Sequence, residues 1–216
     1  GAVASGGNAG LWADGTSNNN HMIQATGSQK PVVRKHATKG KGAIVMGTGE
    51  VGAGGDFLAT AANIANIKYA FLVATPIGPN LARTALPDPY NRWNDNFHGF
   101  LGTAPISASA VLFTGNNGSN NWGQYALASY ARDGVLISTA AADVGYGRKR
   151  YVYRVSLTGV ADTGALNVLR HVGYDGFYAR GGVHGFAVAT SSANAGELAQ
   201  IESFMESYWL SGPQVI

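Results

Sequence analysis

Two stretches of this chain bring together the side chains that grip sugars. "PDPYNRWNDNFHGF", Pro87 to Phe100, interleaves Tyr90, Trp93 and Phe97 with Asp88, Asn91, Arg92, Asn94, Asp95 and Asn96. "GNNGSNNWGQY" sets Asn116, Asn117, Asn120, Asn121 and Gln124 around Trp122 and Tyr125. A sugar presents an apolar ring face and rows of hydroxyls, so its site needs an aromatic surface beside amide, carboxylate or guanidinium partners. On that chemistry the expected ligand-binding set is Tyr90, Asn91, Arg92, Trp93, Asn94, Asp95, Asn121, Trp122 and Tyr125. The same residues also suit a plainer role, with the tryptophans plugging a sheet edge and the amides closing turns. Asp88, Asn94 and Asp95 offer hard oxygen ligands for Ca²⁺, but without a regular spacing. No cofactor is therefore expected.

Catalytic patterns are absent from the sequence. A glycosidase needs two carboxylates on one face, about 5 Å apart for a retaining mechanism. The acids are Asp14, Glu50, Asp56, Asp88, Asp95, Asp133, Asp143, Asp162, Asp175, Glu197, Glu202 and Glu206, and none forms such a pair on a strand. Glu202 and Glu206 share a helix face, where they read as solvated charge. The chain contains no G-x-S-x-G and no H-E-x-x-H. His21, His36, His98, His171 and His184 stand apart from one another. A non-enzyme is expected, with a glycan-cleaving glycosidase or a lyase using Tyr, His and Arg as the alternative.

The charge pattern narrows the partners. Lys+Arg 15 against Asp+Glu 12 gives a net charge of +3, spread along 216 residues. That is no nucleic-acid footprint, which needs a clustered basic stripe. Arg34, Lys35, His36, Lys39 and Lys41 form one small basic group, and Arg148-Lys149-Arg150 a second, beside Tyr146, Tyr151 and Tyr153. Such groups protect sheet edges from association, or hold an anionic glycan such as a lipopolysaccharide. Cysteine is absent, so neither a disulfide framework nor a thiolate metal site can form. No apolar run reaches the roughly 18 residues of a membrane span, and no basic, then apolar leader pattern opens the sequence.

These groups must be carried on a scaffold. Glycine is abundant at 31 residues and only 12% of the chain is charged, which favours many tight turns and an all-β domain. Strands are expected at Ala43–Met46, Tyr69–Val73, Ala110–Phe113, Gly134–Ile137, Tyr151–Leu157, Ala165–Val172 and Val183–Ala189. Along one of them Tyr151, Tyr153, Val155 and Leu157 would share a buried face, with Val152, Arg154 and Ser156 opposite. Residues 1–10 read as a flexible lead-in and 11–216 as a single sandwich domain. One helix is expected at about 194–209. Asn194 and Glu197 form a capping box at its start, and Leu198, Ile201, Met205 and Tyr208 form its apolar stripe. Phe204 and Trp209 flank that stripe, Glu202 and Glu206 point away from it, and Gly212-Pro213 ends the helix.

The opening segment resembles that of concanavalin A-like, laminin-G-like jelly-roll domains. Their "W-x-D-x-S-G-N-G-N-H-A-x-Q-A-T-x-x-x-R-P" pattern is matched here by Trp12, Asp14, Ser17, Asn18, Asn20, His21, Gln24, Ala25, Thr26 and Pro31. Gly54-Gly55-Asp56-Phe57-Leu58 looks like the family's "G-x-D-D-x-L" turn. Leu166 to Gly185 looks like its "L-x-x-L-R-x-x-G" region, and Ala195 to Leu210 like its closing helix, with Glu197, Ile201, Glu202, Phe204 and Trp209 in place. The two ends match in order, and Pro76 to Gly147 matches only as a series of strands. The resemblance implies a jelly-roll sandwich of two antiparallel sheets with one C-terminal α-helix. That family serves lectins, glycosidases, adhesion modules and phage or capsid surface proteins alike, and with no carboxylate pair in the sequence a non-catalytic recognition module displayed on a surface is expected. The opening segment and closing helix look like those of copies found in bacteriophage virion proteins and in secreted bacterial multidomain proteins. The favoured reading is a phage structural protein: a tail fibre, spike or head-decoration domain that binds a host cell-surface glycan and packs on other virion subunits, in one arrangement as a homo-oligomer. A virion or extracellular location follows, without nucleic acid or membrane insertion. A purely structural virion module is the alternative.

Overall fold

The structure, a computed structural model, describes residues 7–35, 42–45, 57–76, 97–103, 111–116, 127–137, 149–161, 164–169 and 181–211. They form two antiparallel sheets and one C-terminal helix, an all-β sandwich as the sequence leads one to expect. The six-stranded sheet runs in the order β1 (Leu11–Trp12), β2 (Met22–Ile23), β5 (Leu58–Ile64), β12 (Gly164–Val168), β7 (Phe97–Thr103) and β8 (Val111–Asn116). The seven-stranded sheet runs β10 (Val135–Ile137), β9 (Leu127–Arg132), β11 (Tyr151–Ala161), β6 (Ile67–Pro76), β13 (Gly181–Thr190), β4 (Gly42–Val45) and β3 (Val32–Lys35). Helix α1 spans Ala195–Met205 and continues as a π-helical turn, Glu206–Leu210.

The chain crosses between the sheets at one end of the sandwich. There β5 passes into β6 through Asn66, in the left-handed region at φ 59°, and β11 ends at Ala161 close to where β12 begins at Gly164. At the opposite end Tyr151 pairs with Ala74, Gly181 with Pro76 and Phe97 with Asn116. Residues 7–10 are not a free lead-in. Asn8 bridges to Val32, the Ala9 N–H donates to Pro31 O at 2.7 Å, and Ala9 is buried.

Side-chain alternation fixes the main core. Tyr153, Val155 and Leu157 point between the sheets with Tyr130, Phe113, Leu101, Leu72 and Leu166, and half-buried Tyr151 packs at their margin. The face of Val152 and Arg154, placed opposite the buried one, is covered as well in the seven-stranded sheet. It carries Phe71, Val73 and Val152 beneath Met205 of α1, with Leu198, Ile201, Trp209 and Leu210 packed around them. This explains why β6, "IKYAFLVATP", is buried continuously from Ala70 to Pro76 and shows no alternation. A strand covered on both faces has no side left for polar residues.

The helix starts as expected. Asn194 Oδ1 accepts from the Glu197 N–H at 3.0 Å, and Glu197 Oε2 accepts from the Asn194 N–H at 2.8 Å, so two otherwise unpaired donors are satisfied reciprocally. Its far end differs from the α-helical projection. Tyr208, expected on the apolar stripe, is 45% exposed, while Trp209 and Leu210 pack on the sheet. The π turn uses more residues per revolution than an α turn, so the sheet-facing position after Met205 falls at Trp209. Glu202 and Glu206, expected to point away, face the sheet: Arg154 Nη1 donates to Glu202 Oε2 at 2.5 Å. Gly212-Pro213 lies outside the described residues.

Candidate functional site

All nine residues of the expected ligand set lie outside the described residues: Tyr90, Asn91, Arg92, Trp93, Asn94, Asp95, Asn121, Trp122 and Tyr125. So does Asp88, the other candidate calcium ligand. Among the described residues, no group of three His, Asp or Glu side chains is placed to hold a metal, and no helix is long and apolar enough to cross a membrane.

The structure builds a site instead from the opening segment and the closing helix. Most of the polar residues that open the chain act on their own backbone. Asp14 Oδ1 accepts from the Thr16 N–H at 2.8 Å, and its Oδ2 accepts from the Thr16 hydroxyl at 2.8 Å and the Asn20 N–H at 2.9 Å. The Asp14 N–H in turn donates to His21 Nδ1 at 3.0 Å. Asn19 takes a left-handed conformation at φ 54°, which asparagine tolerates better than most residues. The loop from Asp14 to His21 is thus closed around one carboxylate. The Thr16 N–H holds that carboxyl below the ordinary carboxylate range against an opposing effect of burial. The Thr16 hydroxyl and the Asn20 N–H add to the lowering. Further on, Gln24 Oε1 accepts from the Thr26 N–H at 3.0 Å. Trp12 fastens the segment to the other sheet by meeting Phe186 edge-on, ring centroids 5.4 Å apart.

This closed loop forms one wall of a groove of about 540 Å³. Asp14, Thr16, Asn18 and Asn20 stand on one side, and Gln200, Ile201, Phe204 and Met205 of α1 on the other. Between them lie Ile64 and Leu166 of the six-stranded sheet and Phe186 and Val188 of β13. Thr60 also lines the groove, and its hydroxyl is fully used: it donates to Ala62 O at 2.8 Å and accepts from the Leu166 N–H at 2.9 Å. Phe204 is 62% exposed and stacks on Tyr208, ring centroids 5.6 Å apart with planes 13° from parallel. The result is an apolar floor, an exposed aromatic platform and a rim of the Asn18, Asn20 and Gln200 amides. Asp14 is the only ionisable group among the described residues that line it.

A second cluster fastens the helix to the sheet. Arg150, expected with Arg148 and Lys149 in an exposed basic group, is buried, and its Nη1 donates to Trp209 O at 2.5 Å. Burial lowers its pKa from the ordinary arginine value. His184 is also buried, its Nε2 is 2.9 Å from Thr75 Oγ1, and its Nδ1 is 3.1 Å from Gly42 O. A carbonyl can only accept, so Nδ1 carries the proton and Nε2 accepts from the threonine hydroxyl. Burial first, then the charge of Arg150, pushes the His184 pKa down to about 3, against the opposing pull of the Gly42 carbonyl. Gly185 makes room for Trp209, because a Cβ there would lie 3.1 Å from the indole Nε1. A glycine inside a strand-like run, "GGVHGFAV", is the signal that marks such a close approach. Glu206 lies against the turn at Gly134. Burial, then the charges of Glu202 and Asp133, raise its carboxyl above the ordinary range, and Arg154 opposes them.

The groove itself had a weaker signal. Asp14, Asn18, Asn20 and Phe204 stand out in the sequence, but nothing in it says that residues nearly two hundred positions apart face one another. No protein-family model matches the chain, and it has no match among the curated proteins or the solved structures.

Proposed function

We propose that this chain is a non-catalytic surface recognition module that binds a glycan in the groove between the Asp14–His21 loop and α1. The observation carrying this reading is the pairing of an apolar floor and an exposed Phe204 platform with a rim of the Asn18, Asn20 and Gln200 amides. A sugar ring stacks on the first, and its hydroxyls exchange hydrogen bonds with the second. With Asp14 as the one ionisable group among the described residues that line it, the groove suits an uncharged saccharide better than an anionic one. The volume matches a ligand of one to three sugar rings, since small-molecule sites run from about 300 to 1,000 Å³. The resemblance of the first segment and the closing helix to concanavalin A-like domains of bacteriophage virion proteins supplies the setting. On that basis we place the module on a tail fibre, spike or head decoration, facing a host cell-surface glycan.

A glycan array tests this directly. The wild-type chain should bind one or a few neutral glycans, and Phe204→Ala or the Asn18→Ala/Asn20→Ala pair should weaken that binding roughly tenfold or more, the scale of a lost anchor residue. A flat array would overturn the glycan reading. The stacked, exposed Phe204–Tyr208 pair also suits a contact with a neighbouring subunit. A flat array together with self-association abolished by Phe204→Ala would establish the purely structural virion module. Reducing ends released from a polysaccharide panel would instead establish an enzyme.

A further inference from the structure

We infer that the saccharide held in the groove carries an acetamido group: a neutral N-acetylated amino sugar, with the acetyl methyl on the apolar floor and the amide between the two walls. The inference rests on the glycan reading of the groove and narrows it to one class of sugar. Its basis is which hydrogen-bonding groups the fold has already used and which it has left.

The hydroxyls and the carboxylate are committed. Thr16 Oγ1 donates to Asp14 Oδ2 at 2.8 Å and accepts from the Asn18 N–H at 3.2 Å. Thr60 Oγ1 is used in both directions, towards Ala62 O and the Leu166 N–H. Asp14 already accepts three hydrogen bonds from its own loop. Asn18 and Asn20 give their backbone N–H groups to that loop. Their side-chain amides, and that of Gln200, form no hydrogen bond with a described residue. The side chains that the described groove offers a polar ligand are therefore carboxamides, each both a donor and an acceptor. Asn18 and Asn20 stand on the loop wall and Gln200 on the helix wall. A trans secondary amide has its N–H and C=O on opposite edges, so one lying between the walls donates to one and accepts from the other.

The floor sets the second requirement. Ile64, Leu166 and Val188 offer no polar side-chain atom there. A sugar hydroxyl turned towards them would leave water without gaining a partner, which is costly. A methyl group in the same place gains by leaving water. An acetamido substituent meets both requirements at once. A deoxy sugar satisfies the floor alone, and an unsubstituted hexose the rim alone. Phe204 keeps its role as the platform for the ring.

Matched pairs of neutral sugars, titrated calorimetrically into the full chain, test the inference. The pairs are chitotriose against cellotriose, and the methyl glycosides of N-acetylgalactosamine and N-acetylmannosamine against those of galactose and mannose. In at least one pair the acetamido member should bind roughly tenfold or more tighter than its hydroxyl partner, the scale of one buried methyl together with one hydrogen bond. Val188→Thr, close in shape, puts a hydroxyl into the floor and should cut that preference about threefold or more. Because the readout is a ratio within one variant, a general loss of folded protein does not imitate this effect. A preference unchanged by Val188→Thr would overturn the placement of the methyl on the floor. Equal binding within every pair would overturn the inference and leave the glycan reading standing. So would a methyl rhamnoside bound more tightly than every acetamido sugar, which would give the floor a bare methyl instead. Binding of no sugar, here and on the array, would overturn the glycan reading and the inference with it.

Discussion

The two faces of the seven-stranded sheet are held by different physics. On the inner face Tyr153 is fully buried, tilted against Phe113 at 6.2 Å and stacked on Tyr130 at 6.4 Å, in a core that joins both sheets. On the outer face one helix covers a core of four buried residues, Phe71, Val73, Val152 and Met205. Around that small core lie Arg150, Arg154, His184, Glu202 and Glu206. The inner face depends on contact area, which responds little to pH. The outer face depends in part on protonation states. The contrast assigns the inner face to the stability of the fold, and the outer face to the placement of the helix that walls the groove.

The largest separation between the faces should come from truncating each core. Tyr153→Ala should cost about 3–5 kcal/mol, the range for removing a buried aromatic, and lower the whole unfolding transition. Met205→Ala should cost about 2–3 kcal/mol and weaken the proposed glycan binding in the groove as α1 loosens. Chemical denaturation followed by tyrosine and tryptophan fluorescence measures both. Equal losses would erase the distinction.

Acid comes next. His184 is neutral in the fold, with its pKa lowered from 6.5 to about 3. Its stabilising contribution is therefore present above pH 6.5 and lost as pH falls towards 3, at roughly 1.4 kcal/mol per pH unit, because only the unfolded chain takes up the proton. His184→Asn should flatten the acid limb of the stability curve even though it lowers stability at neutral pH. An unchanged slope would show that the ring already accepts a proton in the folded state.

The smallest effect should come from Glu206. Its carboxyl is raised above the ordinary 4.5, so the folded state keeps the proton longer than the unfolded chain. Stability falls as pH rises through the interval just above 4.5 and stays lowered beyond it. Glu206→Gln should therefore melt about a degree higher than wild type near pH 7 and no differently near pH 4. A variant that melts lower at pH 7 would mean the carboxylate is stabilising after all.

Much of the scaffold was legible because it follows from local pattern. The alternation from Tyr151 to Leu157 identified a strand and its inner face. Asn194 and Glu197 identified the start of the helix, and the glycine and low charge content identified a β fold. The candidate site was much less legible. Asp14 and the asparagines after it could be read as loop chemistry, but not as the wall of a groove facing Phe204. Arg150 carried no mark distinguishing it from exposed Lys149 beside it. The nine residues singled out for a ligand fall outside the described residues, so the groove is built from other side chains.

Short-range order was set by the sequence alone, because side-chain period, capping and turn preference depend on neighbours a few positions away. Which face of the helix meets the sheet, which arginine is buried and which polar residues share a groove were decided only on folding. Those outcomes depend on which distant segments pack together, and the π turn after Met205 moved the last contacts by a single residue.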